Sequence, residues 1–112
     1  MIDLTYLNDI TDGDVATKKQ LIELFFVQAD EIKQRFIVAQ LSGDSDEIGR
    51  TAHIAKSTTR VMGINNVADK MEELQRLAEH HESPEKYSAL VQFYLDEIPC
   101  AVEELKKELA KL

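Results

Sequence analysis

An all-α chain, folded as an antiparallel up-down four-helix bundle with a short N-terminal accessory helix, is what three features of this 112-residue sequence predict. Only 4 Gly and 2 Pro interrupt it, and Leu, Ala, Glu, Lys, Gln and Ile dominate, a composition that favours long helices over sheet. Apolar residues recur at spacings of three and four through four long stretches. The joints between those stretches are short and carry Gly, Asn or Pro, so successive helices must run antiparallel. The length suits one domain, residues 1–112, with a real hydrophobic core.

Ile2, Leu4, Tyr6, Leu7 and Ile10 form an apolar N-terminal segment, expected to lie across the body as a short helix or strap. Thr11-Asp12-Gly13-Asp14 closes it as a turn followed by a helix N-cap. From about Val15 to Gln40, Leu21, Leu24, Phe25, Ala29, Ile32, Phe36 and Ala39 mark the core stripe of the first long helix, with Ile22, Phe26 and Val27 widening it early. Leu41-Ser42-Gly43 puts a glycine where a left-handed C-cap is usual, and Asp44 with Glu47 has the spacing of a capping box. On the second long helix Ile48, Thr51, Ala52, Ala55, Thr59 and Met62 gather on one face, and Gly63 should end it. Asn65 or Asn66 is expected to cap the third helix, whose stripe is Ile64, Val67, Met71, Leu74 and Ala78, and which runs out at His80-His81-Glu82. Ser83-Pro84-Glu85 combines a cap residue, a first-turn proline and a first-turn acid. It predicts the start of a last helix reaching about Lys111 through Leu90, Phe93, Tyr94, Ile98, Val102, Leu105 and Leu109, with a bend at Pro99.

Charge and composition narrow the function. A formal net charge of −8 repels nucleic acid and anionic membrane surfaces, leaving a protein as the expected partner. No apolar run approaches the roughly 20 residues that span a bilayer. Cys100 is the one cysteine and has no internal disulfide partner; its apolar surroundings suggest a core or boundary thiol. The start MIDLTYL lacks a basic region followed by an apolar run, so a cytoplasmic protein is expected.

The stretch AHIAKSTTRVMG, from Ala52 to Gly63, stands out as a basic island in an acidic chain. At about 100° per residue, His53 points away from the apolar face of its helix and should be exposed. Arg50 and Lys56 lie one turn either side, Arg60 follows two turns on, and Gly49 and Ser57 are its small neighbours. Reflection through the turn near Ile64 brings Gln75 opposite His53, where its amide oxygen can accept from one ring nitrogen and leave the other as a nucleophile. Reflection through the turn near Gly43 brings Lys33, with Ile32 and Phe36, to the same level on the first long helix. A phosphoryl group on an exposed imidazole needs a neutral nucleophile, cations for its equatorial oxygens and room for a partner to approach in line. His53, then Lys56 with Arg50 or Arg60, then Gly49 and Ser57 supply these in turn. No second acid or base, glycine-rich nucleotide loop or metal constellation accompanies them, which describes a carrier better than an enzyme.

These residues, with Gly43-Asp44 ten residues ahead of the histidine, resemble the histidine-containing phosphotransfer (HPt) domain, whose signature is Ala-His-x-Leu-Lys-Gly followed by small residues and a Leu/Ile-Gly. The resemblance runs from about Thr11 to Leu109. It implies that His53 is the phosphoacceptor, Lys56 the phosphate-neutralising cation, Gln75 the ring-orienting residue and Gly63 the helix-ending glycine. It further implies a monomeric phosphorelay carrier with no cofactor of its own, served by a histidine kinase, which can be a hybrid kinase, and by response-regulator receiver domains that bring the Mg²⁺. Two positions depart from the pattern: Ala55 stands for the usual leucine and Ser57 for the usual glycine. Ser57 sustains an alternative, an adaptor of the same fold that binds a receiver or another helical protein without transfer. A metal-binding bundle is disfavoured, because adjacent His80 and His81 point about 100° apart and no paired carboxylate-histidine motif faces inward.

Overall fold

In the computed structural model, which describes residues 2–112, five helices follow one another: α1 (Thr5–Ile10), α2 (Val15–Ser42), α3 (Ser45–Val61), α4 (Asn65–Glu79) and α5 (Tyr87–Lys111). Helices α2 to α5 make the antiparallel up-down bundle, and α1 is the accessory segment. At about 1.5 Å per residue the 28 residues of α2 match the 42 Å long axis of the molecule. One continuous core draws on all five helices, with Leu7, Phe36, Ala55, Met71 and Leu105 among its fully buried members. Among the described residues no helix is long and apolar enough to cross a membrane.

Local chemistry sets most of the joints. Asp14 caps α2 by accepting from the Thr17 amide, and Gly43 ends that helix in the left-handed region at φ 66°. Asp44 caps α3 through the Glu47 amide at 3.1 Å. Gly63, at φ 69°, turns the chain into α4, and its carbonyl accepts from the Asp3 amide at 3.0 Å. The N-terminal strap is thereby tied across the α3–α4 turn. On α3, Ile48, Thr51, Ala52, Ala55, Thr59 and Met62 are all buried, as the periodicity predicts, and so is the whole predicted stripe of α4. The two buried threonine hydroxyls point elsewhere than solvent: that of Thr59 bonds back to the Ala55 carbonyl at 2.7 Å, and that of Thr51 lies 3.4 Å from the Glu47 carboxylate.

Several local expectations are corrected. The capping box is only half made, because the Glu47 carboxylate turns to Arg35 and Arg50 instead of reaching back to the cap. Neither Asn65 nor Asn66 caps α4; the cap position falls to Ile64, whose side chain is in the core. Ser83 makes no capping bond, and Pro84–Lys86 forms a 3-10 turn, so α5 begins three residues later at Tyr87. Tyr87 explains the delay: its ring is buried and its hydroxyl donates to the Leu77 carbonyl at 3.1 Å, anchoring the start of α5 against the end of α4. Pro99 lies inside α5, which continues through it. Leu24 and Val27 stay about half exposed on the outer side of α2, and Cys100 is exposed on α5 instead of lying in the core.

Candidate functional site

Helix α3 presents its buried stripe to the core and His53 to solvent, on a ridge with α2 on one flank and α4 on the other. A shallow groove beside it is lined by His53, Arg50, Ile54, Gln75, Glu79 and Arg35. The structure thus brings Gln75, half-buried on α4, to the histidine as turn geometry predicts. Its amide Nε2 donates to Glu79 Oε1 at 2.9 Å, one turn along the same helix. That bond leaves the amide oxygen unspent, and no hydrogen bond joins Gln75 to His53 among the described residues.

The cations divide between the two flanks. Lys56, half-buried one turn after His53, makes no ion pair with any described residue. Arg60 is already spent on α4: Nη2 lies 2.7 Å from Asp69 Oδ1 and 3.8 Å from Glu72 Oε2. Arg50 and Arg35, from α3 and α2, converge on a single carboxylate. Glu47 Oε1 accepts from Arg35 Nε at 3.1 Å and Nη2 at 2.6 Å, and Oε2 accepts from Arg50 Nε at 2.9 Å. Those guanidinium groups, Arg35 first, hold the Glu47 carboxyl below the usual carboxylate range, and the same carboxylate raises Arg50.

The two small residues have separate fates. Gly49 is buried on the α4 side, where an added Cβ would meet Glu79 Cγ at 3.3 Å and Ala78 Cβ at 3.5 Å. Its size serves close packing of α3 on α4. Ser57 is exposed, and its hydroxyl donates to the His53 carbonyl at 3.1 Å, which turns it back onto its own helix.

Lys33, the residue placed level with His53 by reflection, instead lines a separate cleft between α2 and α5 with Tyr94 and Pro99. The α2 residue at the site is Arg35, two positions on. Reflection fixes height but not direction around the helix: at about 100° per residue Lys33 and Arg35 stand equally far to either side of the buried Ile32 and Phe36, so spacing alone does not choose between them. Glu79, one turn beyond Gln75, was legible by the same spacing. His80 and His81 lie at the end of α4, where His81 Nε2 sits 3.0 Å from Asp46 Oδ1.

No family model and no curated protein matches the sequence. Among solved structures, histidine-containing phosphotransfer protein B (HptB) from Pseudomonas aeruginosa PAO1 is similar to this chain, with a TM-score of 0.88 and 21% sequence identity. The match covers 99% of this chain and 96% of that one. The helical bundle described above, accessory segment included, is therefore the fold of a histidine-containing phosphotransfer protein.

Proposed function

We propose that the protein is a phosphoryl carrier of a two-component phosphorelay, with His53 alternating between free and phosphorylated forms. A receiver domain presents its phosphorylated aspartate; an imidazole nitrogen of His53 attacks phosphorus, the N–P bond forms, the aspartyl O–P bond breaks, and the carboxylate leaves with the bonding pair. A second receiver takes the group by the reverse step. The receivers supply Mg²⁺, a histidine kinase, hybrid or not, feeds the relay, and the protein acts as a cytoplasmic monomer without catalysing a reaction alone.

The observation that carries this reading is the placement of His53: solvent-exposed, opposite a fully buried stripe, and sharing its groove with the Gln75 amide. Gln75 orients the ring and Lys56, having no carboxylate partner, offers its ammonium to the phosphoryl oxygens. The likeness to HptB supports the same reading. The inward turn of the Ser57 hydroxyl favours transfer over the silent adaptor, because it withdraws the one group that would crowd an approaching partner.

Incubation with a phosphorylated receiver should label the protein with an acid-labile, base-stable phosphate at His53. Undiminished labelling of His53→Gln would sink the assignment. Lys56→Ala should slow transfer without lowering stability, and receiver binding with no transfer at all would select the adaptor instead.

A further inference from the structure

We infer that Arg35 and Arg50 form an anion cradle on the α2 flank of His53, held open by Glu47, and that this cradle binds the phosphoryl group once it is on the histidine. The inference rests on the carrier reading of His53 and adds a second cationic arm, contributed by a different helix from the one that bears Lys56.

Three observations converge. Arg35, Arg50 and His53 line one groove. Both guanidinium groups are fixed by the same carboxylate, whose two oxygens take three of their hydrogen bonds. Several N–H donors remain unspent: Arg35 Nη1 and both terminal nitrogens of Arg50 bond to no described residue. A guanidinium carries five N–H donors in a planar fork that matches phosphate oxygens, so a clamp that uses only part of the fork aligns the rest.

Glu79 lines the same groove and Asp44 and Asp46 also act on Arg50, so the unspent guanidinium donors, and not a surplus of positive charge, are what an anion would meet there. Glu47 is well suited to hold both arginines, since Thr51 and the two guanidiniums keep its carboxylate in place on the first turn of α3. It is a positioning residue, whereas Arg35 and Arg50 would touch the phosphoryl oxygens. On the opposite flank Arg60 is committed to Asp69 and Glu72, so the two sides of His53 differ: a lone ammonium towards α4 and a preset pair of guanidiniums towards α2.

Phosphoramidate labelling tests this without any partner protein. The imidazole lone pair forms the N–P bond while the donor's N–P bond breaks and ammonia leaves with the bonding pair. Followed by ³¹P NMR, Arg35→Gln should label about tenfold more slowly, Arg35→Lys should recover part of the rate, and Lys33→Gln, in the separate α2–α5 cleft, should match the wild type. In ¹⁵N spectra the Arg35 and Arg50 Nε–H signals should both shift when His53 is phosphorylated, and Glu47→Gln should lose their protection while keeping both charges. A labelled wild type whose arginine signals stay still, or an Arg35→Gln variant that folds and labels at the wild-type rate, overturns the cradle alone. A wild type that takes no label at His53 overturns the carrier reading and the cradle with it. If Glu47→Gln keeps both the protected signals and the rate, Glu47 holds nothing and its part in the inference is lost.

Discussion

Replacing Gly63 by alanine should cost far more stability than the same change at Gly43, although both glycines occupy the left-handed region, at φ 69° and φ 66°. A Cβ at Gly43 would meet nothing within 4 Å, so Gly43→Ala bears only the conformational term of roughly 1–2 kcal/mol. A Cβ at Gly63 would stand 1.7 Å from the Asp3 carbonyl oxygen and 2.4 Å from its carbon. Those are backbone atoms, and moving them breaks the Asp3–Gly63 hydrogen bond and lifts the strap that seats Leu7 in the core. The bond contributes about 1 kcal/mol and full burial of a leucine roughly 1.5–3 kcal/mol. Gly63→Ala should therefore lose about 3.5–6 kcal/mol in total, some 2.5–4 more than Gly43→Ala. Urea unfolding of the two variants side by side measures that gap, about 1–2 M in midpoint for a slope near 2 kcal/mol/M. Amide exchange should in addition show the 2–10 segment opening only in Gly63→Ala. Equal costs at the two positions would mean that the strap yields freely and that nothing holds it against the α3–α4 turn.

Three further outcomes follow from the site and core. Gln75→Ala should slow phosphorylation of His53 about tenfold and scramble the histidine tautomer seen in ¹⁵N spectra, with Glu79→Ala partway there, since Glu79 fixes the amide that would hold the ring; an unchanged tautomer in both refutes ring orientation. Glu47 gives a signed pH dependence: its folded-state pKa is depressed, so its stabilising contribution is present above the ordinary value of 4.5 and is lost as pH falls through the lowered one. The stability difference between wild type and Glu47→Gln should accordingly be constant from pH 7 to about 5 and shrink below it, and a difference independent of acid would remove the ion pairs from the account. Tyr94→Phe should be neutral or stabilising by about 1 kcal/mol, because the Tyr94 hydroxyl is buried with no hydrogen-bond partner, burial pushes its ionisation upward, and the edge-on contact with Phe36 at 5.6 Å survives the change; a large loss in urea unfolding would show that the hydroxyl is satisfied in solution.

How legible this molecule is depends on which geometric quantity a residue's role requires. Period and chain reversal are written in one dimension, so the α3 face and the height of Gln75 against His53 could be read directly from spacing. Azimuth around a neighbouring helix is written only indirectly. Hence reflection puts Lys33 level with the histidine, whereas Arg35 is the α2 residue that lines its groove. Competition between partners is less legible still. Ser83, Asn65 and Asn66 have good capping chemistry, yet the ends they were expected to cap are set by tertiary anchors, the buried Tyr87 ring and the Asp3–Gly63 tie. Glu47 likewise gives up its reach towards the cap for two guanidiniums, one of them twelve residues away in sequence. A local rule fails in each case where a longer-range partner offers the same group a charged or buried alternative, worth more than an exposed cap.

That ordering also accounts for the asymmetry around His53. Arg50 and Arg60 look equivalent from sequence, one on each side of the histidine, but their neighbours decide what each can do. Arg60 faces the acids Asp69 and Glu72 of α4, which are exposed and hold its charge at the surface of the α3–α4 hairpin. Arg50 faces a carboxylate already shared with Arg35, so its terminal nitrogens stay unspent beside the groove. Lys56 makes no ion pair among the described residues. On the proposed carrier reading, an anion at His53 would draw on Lys56 and the Arg35–Arg50 pair, while Arg60 is paired with α4. An Arg60→Gln variant should loosen the hairpin slightly and leave the labelling rate of His53 unchanged; a slowed rate at unchanged stability would return Arg60 to the site and show that its pairing with α4 gives way when phosphate arrives.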